Sequence, residues 1–203
     1  MEYNEYIPED RAREIFKSLK YDTSYLSSRG FSNETIDHFG GGFYFPSNFI
    51  IHQRVMIPTY DREGNLLGFF GRTIHPRDEM TGGFFPKGFS PGKGLGQWYQ
   101  KWRSYPQQLA AFGRVSGDFY NLANAIPSIE ETGICILCEG VLDVWGLYEN
   151  GFENAVAVLG VKISPKQLEP LLEAGCKKLK VLFDGDRPGL KAANIIKEKY
   201  ENI

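Results

Sequence analysis

Glu139, Asp143, Asp184 and Asp186 stand at spacings from which an acidic, cation-binding site can be built. The short apolar run ICILC (134–138) leads into Glu139-Gly140, and the run LKVLF (179–183) leads into Asp184-Gly185-Asp186. Carboxylates crowded together repel and raise one another's pKa, and a hard divalent cation relieves that repulsion. Mg²⁺ takes oxygen ligands and often needs only one or two carboxylates, with waters and substrate phosphates supplying the rest. Such an ion stabilises charge developing on phosphorus and orients a nucleophile. Asp184 and Asp186 flank a glycine and can offer oxygens to one ion while a phosphate comes close. Glu139, held near the metal, can move a proton. The catalytic candidates are therefore Glu139, Asp143, Asp184 and Asp186. Of these, Glu139, Asp184 and Asp186 are the candidates to hold Mg²⁺ or Mn²⁺. Acid and glycine after a strand are also common turn and cap residues, so neither segment is specific alone. Their joint order along the chain carries the reading.

That order requires particular elements. ICILC and AVAVLG (155–160) are continuous apolar runs, as in strands buried on both faces, and LKVLF reads as a third strand. Helical segments are expected after each: up to Asn150, over 165–175, and over 189–200. Alternation of strand and helix implies a parallel sheet. Ligands gather outside the carboxyl ends of such strands. If 134–138 and 179–183 are neighbours in the sheet, their acids share one rim. Asp143, four residues after Glu139, then starts a helix that directs it back toward that rim. Upstream, a helix is expected over 8–20. Gly30 reads as a helix stop, and Ser32 as the N-cap of a short helix ended by the glycines at 40–42. Residues 54–60 and 66–74 read as strands joined by the turn DREGN, and 75–118 as long loops with short strands. The expected fold class is α/β: an α+β subdomain over 1–130, then a Rossmann-like parallel-sheet domain over 131–203.

The 203 residues carry a formal net charge of −2, which gives no support to a free-standing basic nucleic-acid binder. A local basic face can still coexist with an acidic pocket. Three cysteines are not a disulfide framework, and reduced thiols in the cytoplasm are the simpler account. Cys135 and Cys138 have CxxC spacing, but three residues apart on a strand they point to opposite faces, so no zinc is expected. The opening MEYNEYIPED shows no signal peptide, and no apolar run reaches the roughly 18 residues of a membrane helix. PGKGLG (91–96) lacks the GxxxxGK[ST] pattern of a phosphate loop. WYQKWR (98–103) reads either as a stacking surface for single strands or as a packed aromatic cluster. His38, His52 and His75 are scattered and are assigned no chemistry.

CEGVLDVWGLYENGFENAVAVLG followed by VLFDGDRPGLKAA resembles the TOPRIM domain of DnaG-type bacterial and phage primases. YLSSRGFSNETIDHFGGGF resembles the helical motif upstream of it in that family, RVMIPTYDREGNLLGFFGRTI the hairpin before the catalytic domain, and FYNLANA (119–125) the linker into it. The resemblance implies that Glu139 is the acid/base glutamate, that Asp184 and Asp186 are the metal pair, and that Asp143 supports them. It further implies nucleic-acid or nucleotide contacts from Arg54 and Arg72 in the hairpin, from Lys101 and Arg114, and from Asn121 in the YN motif. The implied activity is synthesis of short RNA primers on a single-stranded DNA template from ribonucleoside triphosphates. The implied setting is a bacterial cytoplasm, with a replicative helicase or another primase subunit as partner and no membrane. Two alternatives stay open: a metal-dependent nuclease of the TOPRIM type, and a non-catalytic nucleic-acid-binding module. The family's zinc module and its acidic strand after DGD have no counterpart within residues 1–203. A second metal site is therefore expected to be incomplete, and the sheet edge to be covered by another chain.

Overall fold

The computed structural model describes residues 20–44, 54–77, 83, 101–105, 119–159, 163 and 165–200. The helix expected over 8–20 lies outside these residues except at Lys20, which is in a strand. The loop containing Arg114, and His52, also lie outside them. The chain forms two compact units. One holds the described residues of Glu5–Thr59 and Leu66–Ala110, the other those of Tyr60–Asn65 and Ala111–Ile203.

The first unit is an antiparallel sheet with two short helices. Its elements are β1 (Lys20–Tyr21), α1 (Ser24–Ser28), α2 (Asn33–His38), β2 (Phe43–Tyr44), β3 (Arg54–Tyr60), β4 (Leu66–Thr73) and β5 (Trp102–Tyr105), with the strands in the order β1-β2-β3-β4-β5. Ser32 caps α2 as its type suggests, its side chain accepting from the Thr35 N–H at 3.2 Å. Gly30 sits at φ 93°, the left-handed conformation that glycine adopts without steric cost. Val55, Met56, Ile57 and Phe69 are buried along β3 and β4.

The second unit contains α3 (Leu122–Thr132), β6 (Ile134–Cys138), α4 (Val141–Glu149), β7 (Ala155–Ala157), α5 (Pro165–Glu173), β8 (Lys178–Leu182) and α6 (Arg187–Lys199). The three strands are parallel, ordered β7-β6-β8, so the two strands that lead into acids are neighbours. Pairing runs from Ile134↔Lys178 to Cys138↔Leu182. At the amino ends, the Gly133 carbonyl accepts from the N–H groups of both Lys177 (2.8 Å) and Lys178 (3.0 Å). One face of the sheet is packed by Leu122, Ala125 and Ile129 of α3, Leu168 and Leu171 of α5, and Ile196 of α6, against Cys135, Leu137 and Val156. Ile136, Cys138, Ala155 and Ala157 alternate onto the other face, where α4 buries Val144 and Trp145. Trp145 Nε1 donates to Tyr120 Oη at 2.9 Å inside this unit.

Residues 119–125 are not only a linker, since α3 begins at Leu122. Pro127 lies inside that helix, where it removes one hydrogen bond and disfavours the conformation. Burial of Leu122, Ala125 and Ile129 along one side outweighs that cost. All three cysteines are free and buried. Cys135 belongs to the core beneath α3 and α5, whereas Cys138 does not, as opposite strand faces require. Burial, with a smaller contribution from Asp143, pushes the Cys138 thiol up to about 12, so it stays protonated.

Candidate active site

The acidic residues meet at the carboxyl ends of β6 and β8. Cys138 pairs with Leu182 in the last register position of these strands, so Glu139 and Asp184 leave the sheet at the same rim. Glu139 is half-buried. Its Oε2 is buried and has no hydrogen-bond partner. Burial first, then the charges of Asp184 and Asp186, hold its carboxyl above the usual glutamate range. The backbone N–H of Asp184 offsets part of this, and Asp143 adds a smaller push upward. The structure thus brings the other three sequence-predicted acids, Asp143, Asp184 and Asp186, into electrostatic reach of the Glu139 carboxyl.

The acids differ in how they are held. Asp143 stands in the first turn of α4, where its Oδ2 accepts from the Gly140 N–H at 2.9 Å. This bond satisfies a donor at the helix start and keeps the carboxylate on the Glu139 side of the turn. Asp186 is the N-cap of α6, its Oδ1 accepting from the Gly189 N–H at 2.8 Å. Pro188 follows as a good first-turn residue. Asp184 is exposed. Gly189 is a site residue that the strand-end reading overlooked. A Cβ at 189 would collide with the backbone carbonyl of Asp184, so only glycine lets the helix start fold tightly under the DGD turn. Its signal in the sequence is a glycine three residues after a capping aspartate.

The basic candidates are placed differently. Arg54 is 2% exposed, and its Nη1 donates to the carbonyls of Gly71 at 3.0 Å and Lys101 at 3.4 Å. It braces β4 and β5 from within. Arg72 is half-buried, with its guanidinium 6.0 Å from the Tyr25 ring centre and 5.8 Å from that of Trp102. Trp102 lies on strand β5, directly paired with Arg72. Lys101 is exposed, and its carbonyl accepts from the Thr73 N–H at 3.0 Å. Asn121 takes a left-handed φ of 69°, and its Nδ2 donates to the Ala155 carbonyl at 3.0 Å. Its amide therefore ties α3 to β7.

Among the described residues, no group of three or more His, Cys, Asp or Glu side chains forms a ready-made metal cage. A Mg²⁺ site needs no such cage, because waters and substrate phosphates complete it. The donor set is all oxygen, and the orphaned Glu139 Oε2 beside two further carboxylates fits a hard divalent cation.

Residues 133–203 match the Toprim domain family, so the parallel-sheet unit with its acidic rim is a Toprim domain. The relatives narrow this further. The DNA primase of Campylobacter jejuni is 33% identical over 140 residues, spanning 69% of this chain and 19% of that protein. Two solved structures share the fold. The Aquifex aeolicus primase (zinc-binding and RNA polymerase domains) aligns with a TM-score of 0.60 and 25% identity, over 94% of this chain and 46% of that one. A DnaG primase catalytic domain bound to single-stranded DNA aligns with a TM-score of 0.61 and 26% identity, over 86% and 57%. The chain belongs to the DnaG-type primase family and aligns with part of its catalytic core. It spans about a fifth of the length of the curated relative, 19%.

Proposed function

We propose that this chain synthesises short RNA primers on single-stranded DNA, joining ribonucleotides by attack of a 3′-hydroxyl on an α-phosphate with release of pyrophosphate. The observation that carries this is the orphaned Glu139 carboxyl, raised in pKa, facing Asp184 and Asp186 at the ends of adjacent parallel strands. Glu139, Asp184 and Asp186 would hold Mg²⁺ or Mn²⁺, which supplies charge stabilisation for the transferring phosphoryl group. The unpaired Oε2 of Glu139 at this rim suits it to accept the proton of the attacking hydroxyl. Asp143 and the Gly140 N–H fix the turn that aims Glu139. Catalysis of this kind is chiefly positioning and electrostatics. Arg72 and Lys101 are proposed to face nucleic acid, together with Arg114. The bonds described above give Arg54 and Asn121 a bracing role in that framework.

The expected partners are a single-stranded DNA template, ribonucleoside triphosphates, and a replicative helicase or another primase subunit, in a bacterial cytoplasm. Among the described residues, no helix is long and apolar enough to cross a membrane. The test is ribonucleotide incorporation on single-stranded DNA with Mg²⁺ or Mn²⁺, comparing the chain with Asp184→Asn and Glu139→Gln. Short RNA products lost in both variants support the reading, and unchanged synthesis in either sinks it.

A further inference from the structure

Just past the end of β7, Leu159 takes a left-handed conformation, φ 58°. Among the described residues, only Leu159 and Asn121 have a positive φ without being glycine. Asparagine tolerates that region through local hydrogen bonds, whereas the Cβ of leucine crowds the neighbouring carbonyl there. Strain of this kind persists only where the surroundings impose it. Here the surroundings are the end of β6. The Val158 N–H donates to the Cys138 carbonyl at 3.0 Å, and the Leu159 N–H to the Glu139 carbonyl at 3.1 Å. A regular parallel strand sends only every second N–H to a given neighbour. Two in a row mean that the chain has left the strand geometry in order to reach Glu139.

The Glu139 carbonyl and the Gly140 N–H belong to one planar peptide unit. That N–H donates to Asp143 Oδ2 at 2.9 Å. Both polar groups of the unit are therefore taken, one by the end of β7 and the other by the first turn of α4. The unit cannot rotate without breaking both bonds, which fixes the backbone beside the Glu139 Cα. From that Cα projects the side chain whose Oε2 is buried and unpartnered. We propose that Leu159 is a positioning residue of the acidic site. Its left-handed backbone presents the N–H that, together with Asp143, locks the 139–140 peptide and so holds the Glu139 carboxyl where a divalent cation is bound. The inference rests on the metal-dependent reading above and adds to it a residue that brings no side-chain donor to the site. A leucine at a strand end carries no such signal in the sequence.

The test is Mn²⁺ binding to the whole chain, followed by the electron paramagnetic resonance signal of free Mn²⁺, with no nucleotide or DNA present. Leu159→Ile keeps the N–H and the apolar volume, but a β-branched residue is excluded from a φ near 58°, so the N–H swings off the Glu139 carbonyl. It should raise the Kd for Mn²⁺ about 10- to 100-fold, the scale of losing an outer partner of a metal ligand. Leu159→Gly adopts the conformation freely and should bind Mn²⁺ at least about ten times more tightly than Leu159→Ile. An ester in place of the Val158–Leu159 amide deletes the donor alone. It should raise the Kd by the same factor, and it decides the matter where the isoleucine variant does not fold. Equal weakening by Leu159→Ile and Leu159→Gly would assign the effect to the lost side chain. Unchanged Mn²⁺ affinity in the ester form would mean that the bond only ends β7. Either result overturns the proposal. The catalytic reading is judged apart, by primer synthesis in Asp184→Asn. Synthesis surviving there sinks that reading alone, since a weakened ester form would still place Leu159 behind the metal site. Synthesis lost there, with Mn²⁺ bound normally by the ester form, overturns only the role of Leu159.

Discussion

The two units solve the burial of polar groups in opposite ways. In the parallel-sheet unit the acids sit past the strand ends, and β6 and β7 are apolar throughout. β6 is buried along nearly its whole length, and its neighbour β8 carries Leu179 and Val181 toward the core with Lys178 and Lys180 outward. In the antiparallel-sheet unit a charge goes into the sheet: Arg54 of β3 is buried, its Nη1 donating to the backbone carbonyls of Gly71 and Lys101. The first arrangement concentrates negative charge where a cation and phosphates can neutralise it. The second uses positive charge partly as internal bracing and partly, through Arg72, as a surface. Charge at a strand end thus reads as chemistry, while charge within a strand has to be traced to its partners before it means anything.

The largest expected effect tests whether chemistry is confined to the acidic unit. Asp184→Asn should lower primer synthesis by about 10²–10³-fold, the scale of losing one group that stabilises transition-state charge, while oligonucleotide binding in EDTA stays unchanged. Loss of both would show that the units do not divide the work. Next in size, Arg54→Ala should lower unfolding free energy in urea by about 1.5–3 kcal/mol, as expected for hydrogen bonds made by a charged group. An unchanged urea midpoint with lost strand binding would move Arg54 from bracing to the nucleic-acid interface.

A smaller effect sharpens the picture of the acidic rim. The raised pKa of Glu139 stabilises the metal-free fold below the ordinary glutamate range, and that stabilisation is lost as pH rises through the raised value. Glu139→Gln should therefore melt about 1–3 °C above the unmodified chain at neutral pH in EDTA, the shift that up to 1 kcal/mol gives in a chain of this size. The gap should close as pH falls below about 4.3, and Mg²⁺ should reverse it by stabilising only the intact site. A variant melting lower than the unmodified chain in EDTA would mean that Glu139 is not crowded by the other acids. The smallest effect belongs to Arg62, whose Nη1 lies 3.5 Å from Glu173 in an exposed pair. Arg62→Ala should cost no more than about 0.2–1 kcal/mol, and a larger loss in thermal melts would make the hairpin turn a structural element of the Toprim unit.

The acidic half was legible because its signals are local. The runs 134–138 and 155–160 announced strands by apolarity alone, and Glu139 and Asp184 come at or just after the ends of their strands. The order β7-β6-β8 then placed β6 beside β8, as the shared rim required. The helix α3 escaped notice because Pro127 argues against it locally, and only packing of Leu122, Ala125 and Ile129 reveals it. The basic half was harder for a related reason. Arg54 and Arg72 stand in the same hairpin and read alike as cations. What separates them is pairing with distant backbone in one case and with the rings of Tyr25 and Trp102 in the other. Residues 25, 72 and 102 have no spacing pattern that links them. Trp102 meets Arg72 only through the β4–β5 register.

The double hydrogen bond to the Gly133 carbonyl lies at the far end of the sheet from the acids, yet it sets their alignment. It starts β6 and β8 from a common origin, so the count of residues from there to Glu139 and to Asp184 acts as a pair of matched rulers. Lengthening either ruler by one residue would carry its acid about 3.3 Å along the strand, out of level with its partner, and turn the rest of that strand's side chains to the other face. The chain can therefore vary its surface side chains along these strands freely, but it cannot vary their length, and insertions between 133 and 139 or between 178 and 184 should be rejected even where no catalytic residue is touched.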